Sequence, residues 1–379
     1  MRYPSATDLL AVASEEVGLD DFGPGDFRAG LECLLESLEL DAGLDDLVMS
    51  HVVGDLERRL RNRLHVEGWY AEHPEVEDVV VEGPLDVNGL PRSGTTALAN
   101  MMSLDPQFRC LRNWEQLHPC PPPVIDGEAD DPRRLAELRE HEGLDAALHA
   151  MHLFDVDATF EDTELLGMAF HGQGFTLPVY GYQAWWRSSD MRPTYRYHRR
   201  VIQLLQSRRP PARWLFKAPH HNFNLEELVA VYPDARFVVT HRDPARAVPS
   251  WASFVGAIMP ASRGARDLHR LGRAASEHLR VGVERGIAAR TVLGEERFLD
   301  VHHRELLANP MQVLHRIYEF AGLEITRDVE GSIRDWTATN RAGARGAHHY
   351  TPEQFGLSAE QLRSDFDFYL RHYDIDIER

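Results

Sequence analysis

The chain has 379 residues, 43% hydrophobic and 27% charged, enough to bury a large core in one domain or one and a half. Its formal charge is -19, from 41 basic and 60 acidic residues, so it repels nucleic acid and anionic membranes overall, and an anionic ligand requires a local basic pocket. Cys33, Cys110 and Cys120 are too few and too irregular for a disulfide framework or a zinc pattern, no apolar leader opens the sequence, and no run approaches the roughly 18 apolar residues of a membrane helix; a soluble, cytoplasmic protein without an integral membrane segment is expected.

Residues 1–80 read as an acidic helical extension. In "FRAGLECLLESLEL" the positions Leu31, Leu34, Leu35 and Leu38 fall at helical spacing, and "MSHVVGDLERRLRNRLHVEGWYAEHPEVED" continues in that style. The extension carries no catalytic motif; it could cap the core, cover a pocket or form a homo-oligomer contact. The pattern changes near residue 81, where a second domain reaching to 379 is expected. "PLDVNG" reads as a short buried strand, followed by a glycine turn and a helix with Leu98, Met101 and Met102 on one face. "FRCLRNW", "RWLFKAP", "ARFVVTHR" and "ERFLDVHH" are further strands. Leu225, Leu228, Val229 and Tyr232 mark a helix between the third and fourth. Asn309, Pro310 and Gly322 punctuate a helix after the fifth, whose apolar face is Leu314, Ile317, Tyr318 and Ala321. Strands alternating with helices predict an α/β fold with a mostly parallel sheet covered on both faces. Residues 121–214 are less regular, with a proline-rich connector and then a stretch rich in aromatics and arginine.

The turn "VNGLPRSGTTALANMM" at 87–102 has the layout of a phosphate loop. Gly89 and Gly94 permit close backbone approach, Ser93, Thr95 and Thr96 offer hydroxyls, and a helix begins where an anion is favoured. The lysine that clamps a γ-phosphate is replaced by Thr95, while Arg92 places a charge inside the loop. A plain glycine turn could look similar. Lys217 is the only lysine in a chain that otherwise uses arginine. A coding bias explains the skew but not the one exception, and a compact ammonium is not equivalent to a guanidinium.

"GLPRSGTT", "WEQLHPCPPP", "RWLFKAPHH" and "FVVTHRDPARAVPSW", in that order, resemble the PAPS-dependent sulfotransferases, above all their bacterial branch, with a looser similarity to tyrosylprotein sulfotransferases. PAPS is 3'-phosphoadenosine 5'-phosphosulfate. The resemblance runs from Pro84 to Leu357 and implies a P-loop-NTPase-like fold, PAPS as cosubstrate, PAP as product and no metal. PAPS has no γ-phosphate, which accounts for the absent loop lysine. The resemblance assigns Arg92, Ser93, Gly94, Thr95 and Thr96 to the 5'-phosphosulfate, Arg242 and Ser250 to the 3'-phosphate, and Lys217 to the transferring sulfuryl or its bridging oxygen. Arg341 and Arg345, in "NRAGARGAHHYTPEQFGL", match a C-terminal loop that closes over the nucleotide.

Transfer to a hydroxyl also requires a base beside the acceptor oxygen. Glu115 in "RNWEQLHP" fits the place used by tyrosylprotein sulfotransferases and is expected ahead of His220; in animal small-molecule sulfotransferases the base stands two residues after the lysine, where this chain has Pro219. Phe175, Tyr180, Tyr182, Trp185 and Trp186 could line an apolar pocket for a small-molecule or lipid hydroxyl acceptor, or simply be core. Two other functions share the same motifs. A small-molecule P-loop kinase requires magnesium and ATP, and the absent lysine counts against it. A non-catalytic nucleotide-binding scaffold requires no base.

Overall fold

A computed structural model describes residues 3–142, 156–172, 177–259, 267–340 and 350–378. Its five strands are β1 (Leu85–Gly89), β2 (Phe108–Cys110), β3 (Arg213–Phe216), β4 (Arg236–His241) and β5 (Phe298–His302). All pair in parallel in the order β2-β3-β1-β4-β5. β1 is buried along its whole length, as parallel strands covered on both faces must be.

Strand periodicity divides the apolar side chains between two layers. Leu85, Val87, Leu215 and Val238 face one way and pack with Leu98, Leu314 and Ile317 of the helices Thr95–Met102 and Pro310–Ala321. Trp214, Phe216, Phe237 and Val239 face the other way and pack with Tyr195, Leu225 and Leu228 of the helices Arg192–Gln206 and Leu225–Val231. Each fully buried side chain of this size contributes about 1.5–3 kcal/mol. Asp86 and Asn88 point into the second layer, a buried polar pair level with Phe216, Phe237 and Val239 of the neighbouring strands.

The N-terminal helices Ala6–Val17, Phe27–Ser37 and Asp46–Glu72 bury Leu31, Leu34, Leu35 and Leu38 against Phe170, Val179 and Tyr182. Asp46–Glu72 also gives Val66 and Tyr70 to the second layer, so the extension shares a core with the sheet. The second strand is shorter than expected: after Cys110 only Arg112 continues in extended form, bridging to Thr159, and Asn113–Leu117 is helical. Among the described residues no helix is long and apolar enough to cross a membrane.

The strand order fixes where a ligand binds. From β1 the chain crosses to β2 on one side, returns through β3, and then passes to β4 and β5 on the other. The order reverses at β1, and open α/β sheets bind ligands beyond the strand ends at such a point.

Candidate active site

The loop after β1 is shaped by residues with left-handed backbone. Gly89 has φ 121°, and a Cβ there would collide with the carbonyl oxygen of Thr240 on β4. Arg92 at φ 67° and Gly94 at φ 101° flank Ser93, an alternation that turns successive N–H groups towards one point. Gly94 is the N-cap of Thr95–Met102 and brings no side-chain cap, so the N–H groups of the first turn are left for a ligand. The Ser93 hydroxyl, expected to face a ligand, turns inward instead. It is fully buried, donates to the Leu90 carbonyl and shares a 2.5 Å bond with the Thr240 hydroxyl. Its side chain closes the loop, which leaves Ser93 only its main chain to offer an anion. From the far side His303 Nδ1 bonds the Ser93 carbonyl at 2.9 Å and so carries the proton on that nitrogen. Burial lowers the His303 pKa, and Arg242 nearby lowers it further.

Arg242 follows the last residue of β4, and Ser250 lies on the next helix, Pro244–Ile258, whose first turn is capped by the Asp243 side chain accepting from the Ala245 N–H at 2.9 Å. Arg92 Nε donates to Ser250 Oγ at 3.2 Å, and Arg242 Nη1 donates to the Arg92 carbonyl at 2.7 Å. The structure therefore joins the loop arginine to the other two residues in one basic corner. Burial lowers the Arg92 pKa; Tyr350 opposes this in part, and the Arg242 charge adds a smaller push downwards. The remaining fork of Arg242 is taken: Nε and Nη2 hold the Glu378 carboxylate at 2.9 and 3.1 Å.

Lys217 directly follows β3 and is 2% exposed. Its Nζ lies 3.3 Å from Glu161 Oε1. Glu115 has different company. Arg109 Nη1 and Nη2 reach its two oxygens at 3.0 and 2.5 Å, and Arg112 adds its N–H at 3.0 Å and Nη2 at 2.6 Å. Burial alone would raise this carboxyl, but the two arginine charges and their hydrogen bonds outweigh it and hold the pKa at about 2. His220 is 1% exposed, packed edge-on against Trp186 at 6.0 Å, and burial with the neighbouring His221 and His278 pushes its pKa well below the usual value.

A phosphate-type loop thus lies at the switch point, with two arginines and a serine beside it and one buried lysine on the adjacent strand end. The family model described as "Sulfotransferase family" matches residues 84–328. The chain belongs to the sulfotransferase family. Over 99% of its length it is similar to the sulfotransferase STF9 from Mycobacterium avium, at 33% identity and a TM-score of 0.90, with 98% of that chain covered. It is also similar to the sulfotransferase STF1 from Mycobacterium tuberculosis H37Rv, at 28% identity and a TM-score of 0.85 over 96% of this chain and 98% of that one. No curated protein matches. It is a transferase of sulfur-containing groups on a P-loop-like α/β fold.

For the aromatic stretch, left open between an acceptor pocket and core, the described residues divide. Tyr182 and Trp186 are core: they are 2% and 1% exposed, and their polar atoms donate to the carbonyls of Phe170 and His171 at 2.7 Å. Trp185 and Tyr180 are only partly buried, and Arg270 lies 3.9 Å over the Tyr180 ring. Phe175, Arg341 and Arg345 lie outside the described residues. Four residues that bear on the site were not singled out by sequence. Glu161 meets Lys217, Glu378 meets Arg242, His303 supports the loop and Arg109 binds Glu115. "FED" before the helix Thr163–Gly167 could have drawn attention as a helix-capping signal, but Asp162 makes no side-chain cap bond; its Oδ2 accepts from His221 Nε2 at 3.0 Å. Among the described residues no group of three or more His, Cys, Asp or Glu could hold a metal ion.

Proposed function

We propose that this sulfotransferase moves the sulfuryl group of PAPS to the hydroxyl of a small-molecule acceptor. The observation that carries the reading is the basic corner itself: Arg92 bonded both to Ser250 and to Arg242 beyond the strand ends of an otherwise acidic chain. A guanidinium fork and a hydroxyl suit a terminal phosphate monoester, so Arg242 and Ser250 take the 3'-phosphate. The N–H groups of Gly94, Thr95 and Thr96 take the 5'-phosphosulfate, with Arg92 able to turn from Ser250 towards it. The acceptor oxygen bonds to sulfur, the bond from sulfur to the bridging phosphate oxygen breaks, and the electron pair stays on PAP. Lys217, as a point charge at the end of β3, stabilises that oxygen as its charge grows. Positioning of donor and acceptor supplies much of the remaining rate.

Titration calorimetry with adenosine 3',5'-bisphosphate tests the reading. The wild type binds it without added metal, and Arg242→Ala weakens binding roughly 10- to 150-fold, the value of a charge-assisted bond worth about 1.5–3 kcal/mol. Unchanged affinity in that variant refutes the placement. Binding of ATP only with magnesium, and none of the bisphosphate, would favour the kinase reading instead.

A further inference from the structure

We infer that Glu161 is the catalytic base that takes the acceptor's proton; the inference rests on the sulfuryl-transfer reading above. Three observations carry it. The first is order. Lys217 is almost entirely buried, while its partner Glu161, 3.3 Å away, is 28% exposed. The ammonium is the inner member of the pair and the carboxylate the outer one. In an in-line displacement the leaving and attacking oxygens stand on opposite sides of sulfur. Both oxygens flank one sulfur atom, so with Lys217 at the leaving oxygen a carboxylate in contact with that lysine, and on its more exposed side, lies near the path of an acceptor, and a base must lie within hydrogen-bond reach of the proton it removes.

The second observation is free capacity. A carboxylate has about four lone-pair sites. Glu161 engages Lys217 through Oε1 and the Thr163 hydroxyl, at 3.4 Å, through Oε2. Glu115 receives four donors from Arg109 and Arg112 and is fully buried, so it has neither a site for a proton nor access to an acceptor. His220 is also closed off from solvent.

The third is rigidity. The residues on both sides of Glu161 are tied to strand ends. The Phe160 N–H donates to the Leu111 carbonyl at 2.7 Å, and the Asp162 N–H donates to the Lys217 carbonyl at 3.2 Å. Asp162 also holds His221, whose Nδ1 meets the Tyr195 hydroxyl at 2.9 Å. A base must be held in place by its surroundings, and this one is stitched through Asp162 to Lys217, the residue set at the leaving oxygen.

The step balances. The acceptor's O–H proton passes to a Glu161 oxygen as the acceptor oxygen bonds to sulfur, the sulfur–bridging oxygen bond breaks with its electron pair going to PAP, and Glu161 returns the proton to solvent across its exposed side.

The test follows PAP release from PAPS from about pH 3 to 9, a window that spans the ordinary carboxylate range, with water and then 2-naphthol as probe acceptors, alongside calorimetry with PAP. Glu161→Gln is expected to lower kcat roughly 100-fold or more and to flatten the acid limb of the pH profile, with the PAP Kd within about threefold of wild type. Glu161→Asp recovers part of kcat and the limb; a merely structural role for Glu161 would move Kd and Tm and leave the limb in place. Glu161→Gln turning over at the wild-type rate, or retaining the acid limb while Glu115→Gln loses it, overturns the assignment. If the wild type does not bind PAP, it is the donor reading that has failed.

Discussion

The fork of Arg242 cannot serve two anions at once. In the structure its Nε and Nη2 hold Glu378, and its Nη1 holds the Arg92 carbonyl. A 3'-phosphate that takes the fork must displace the carboxylate. Glu378→Gln removes the competing charge. It keeps the main-chain bonds that anchor the tail, from the Glu378 N–H to Asp243 at 2.9 Å and from Arg363 to the Glu378 carbonyl at 2.8 Å. The pair is partly open to water, with Arg242 22% and Glu378 34% exposed, so screening limits it to about 1 kcal/mol despite its two-pronged geometry. Removing the competitor should therefore tighten PAP binding by about fivefold. The gain should shrink as salt is raised, because the exposed pair is screened. Calorimetry in low and high salt measures both effects. If Glu378→Gln binds PAP no more tightly than the wild type in low salt, Glu378 does not occupy the phosphate's place and the reasoning fails.

Three further outcomes follow from the same geometry. Glu115 is held at about 2 against an ordinary 4.5, so its contribution is present above about pH 4.5 and is lost as pH falls towards 2; at about 1.4 kcal/mol per unit this is roughly 3 kcal/mol, and Glu115→Gln should lower Tm at neutral pH by an amount that shrinks in acid. An equal Tm gap at pH 7 and in strong acid would sink that account. Asp86 behaves in the opposite sense: burial raises its carboxyl from 3.8 to about 7, so the fold retains a proton that the unfolded chain releases, and stability falls as pH rises through that window. Asp86→Asn should gain on the wild type between about pH 4 and 7, by at most some 4 kcal/mol, and hold the gain above it, as Tm against pH will show. Gly94→Ala should lose about 1–3 kcal/mol of stability together with PAP affinity. Its φ of 101° is unfavourable for alanine, and the added Cβ would lie 2.8 Å from Leu306 Cδ2 and 3.3 Å from His303 Nδ1; a variant with unchanged Tm and Kd would contradict this.

The sheet was legible because its signals are local. Each strand is a short stretch set with bulky apolar residues, and Asn309, Pro310 and Gly322 act on their own neighbours: the Asn309 side chain caps Gln312 at 3.2 Å, and Gly322 ends the helix at φ 68°. The shape of the loop after β1 was legible for the same reason, since glycine spacing encodes backbone shape. Ser93 shows the limit, because which way its hydroxyl turns depends on Thr240, on a strand far along the chain that becomes its neighbour only through the sheet order.

The same distinction separates Lys217 from Glu161. A lone lysine among arginines is an anomaly visible at a single position, and the structure adds a reason to retain it, a buried place beside one carboxylate at the end of β3. Glu161 is one of many acidic residues, and nothing in its own stretch distinguishes it. Its partner is 56 positions away, and they meet because 156–162 runs across the ends of β2 and β3, with Phe160 bound to Leu111 and Asp162 to Lys217. Glu115 stands at a motif position the sequence could match, yet Arg109, six residues earlier on β2, shares it with Arg112 and fills its lone pairs. Motif position therefore identified a carboxylate, while hydrogen-bond saturation and exposure decide which carboxylate can accept a proton.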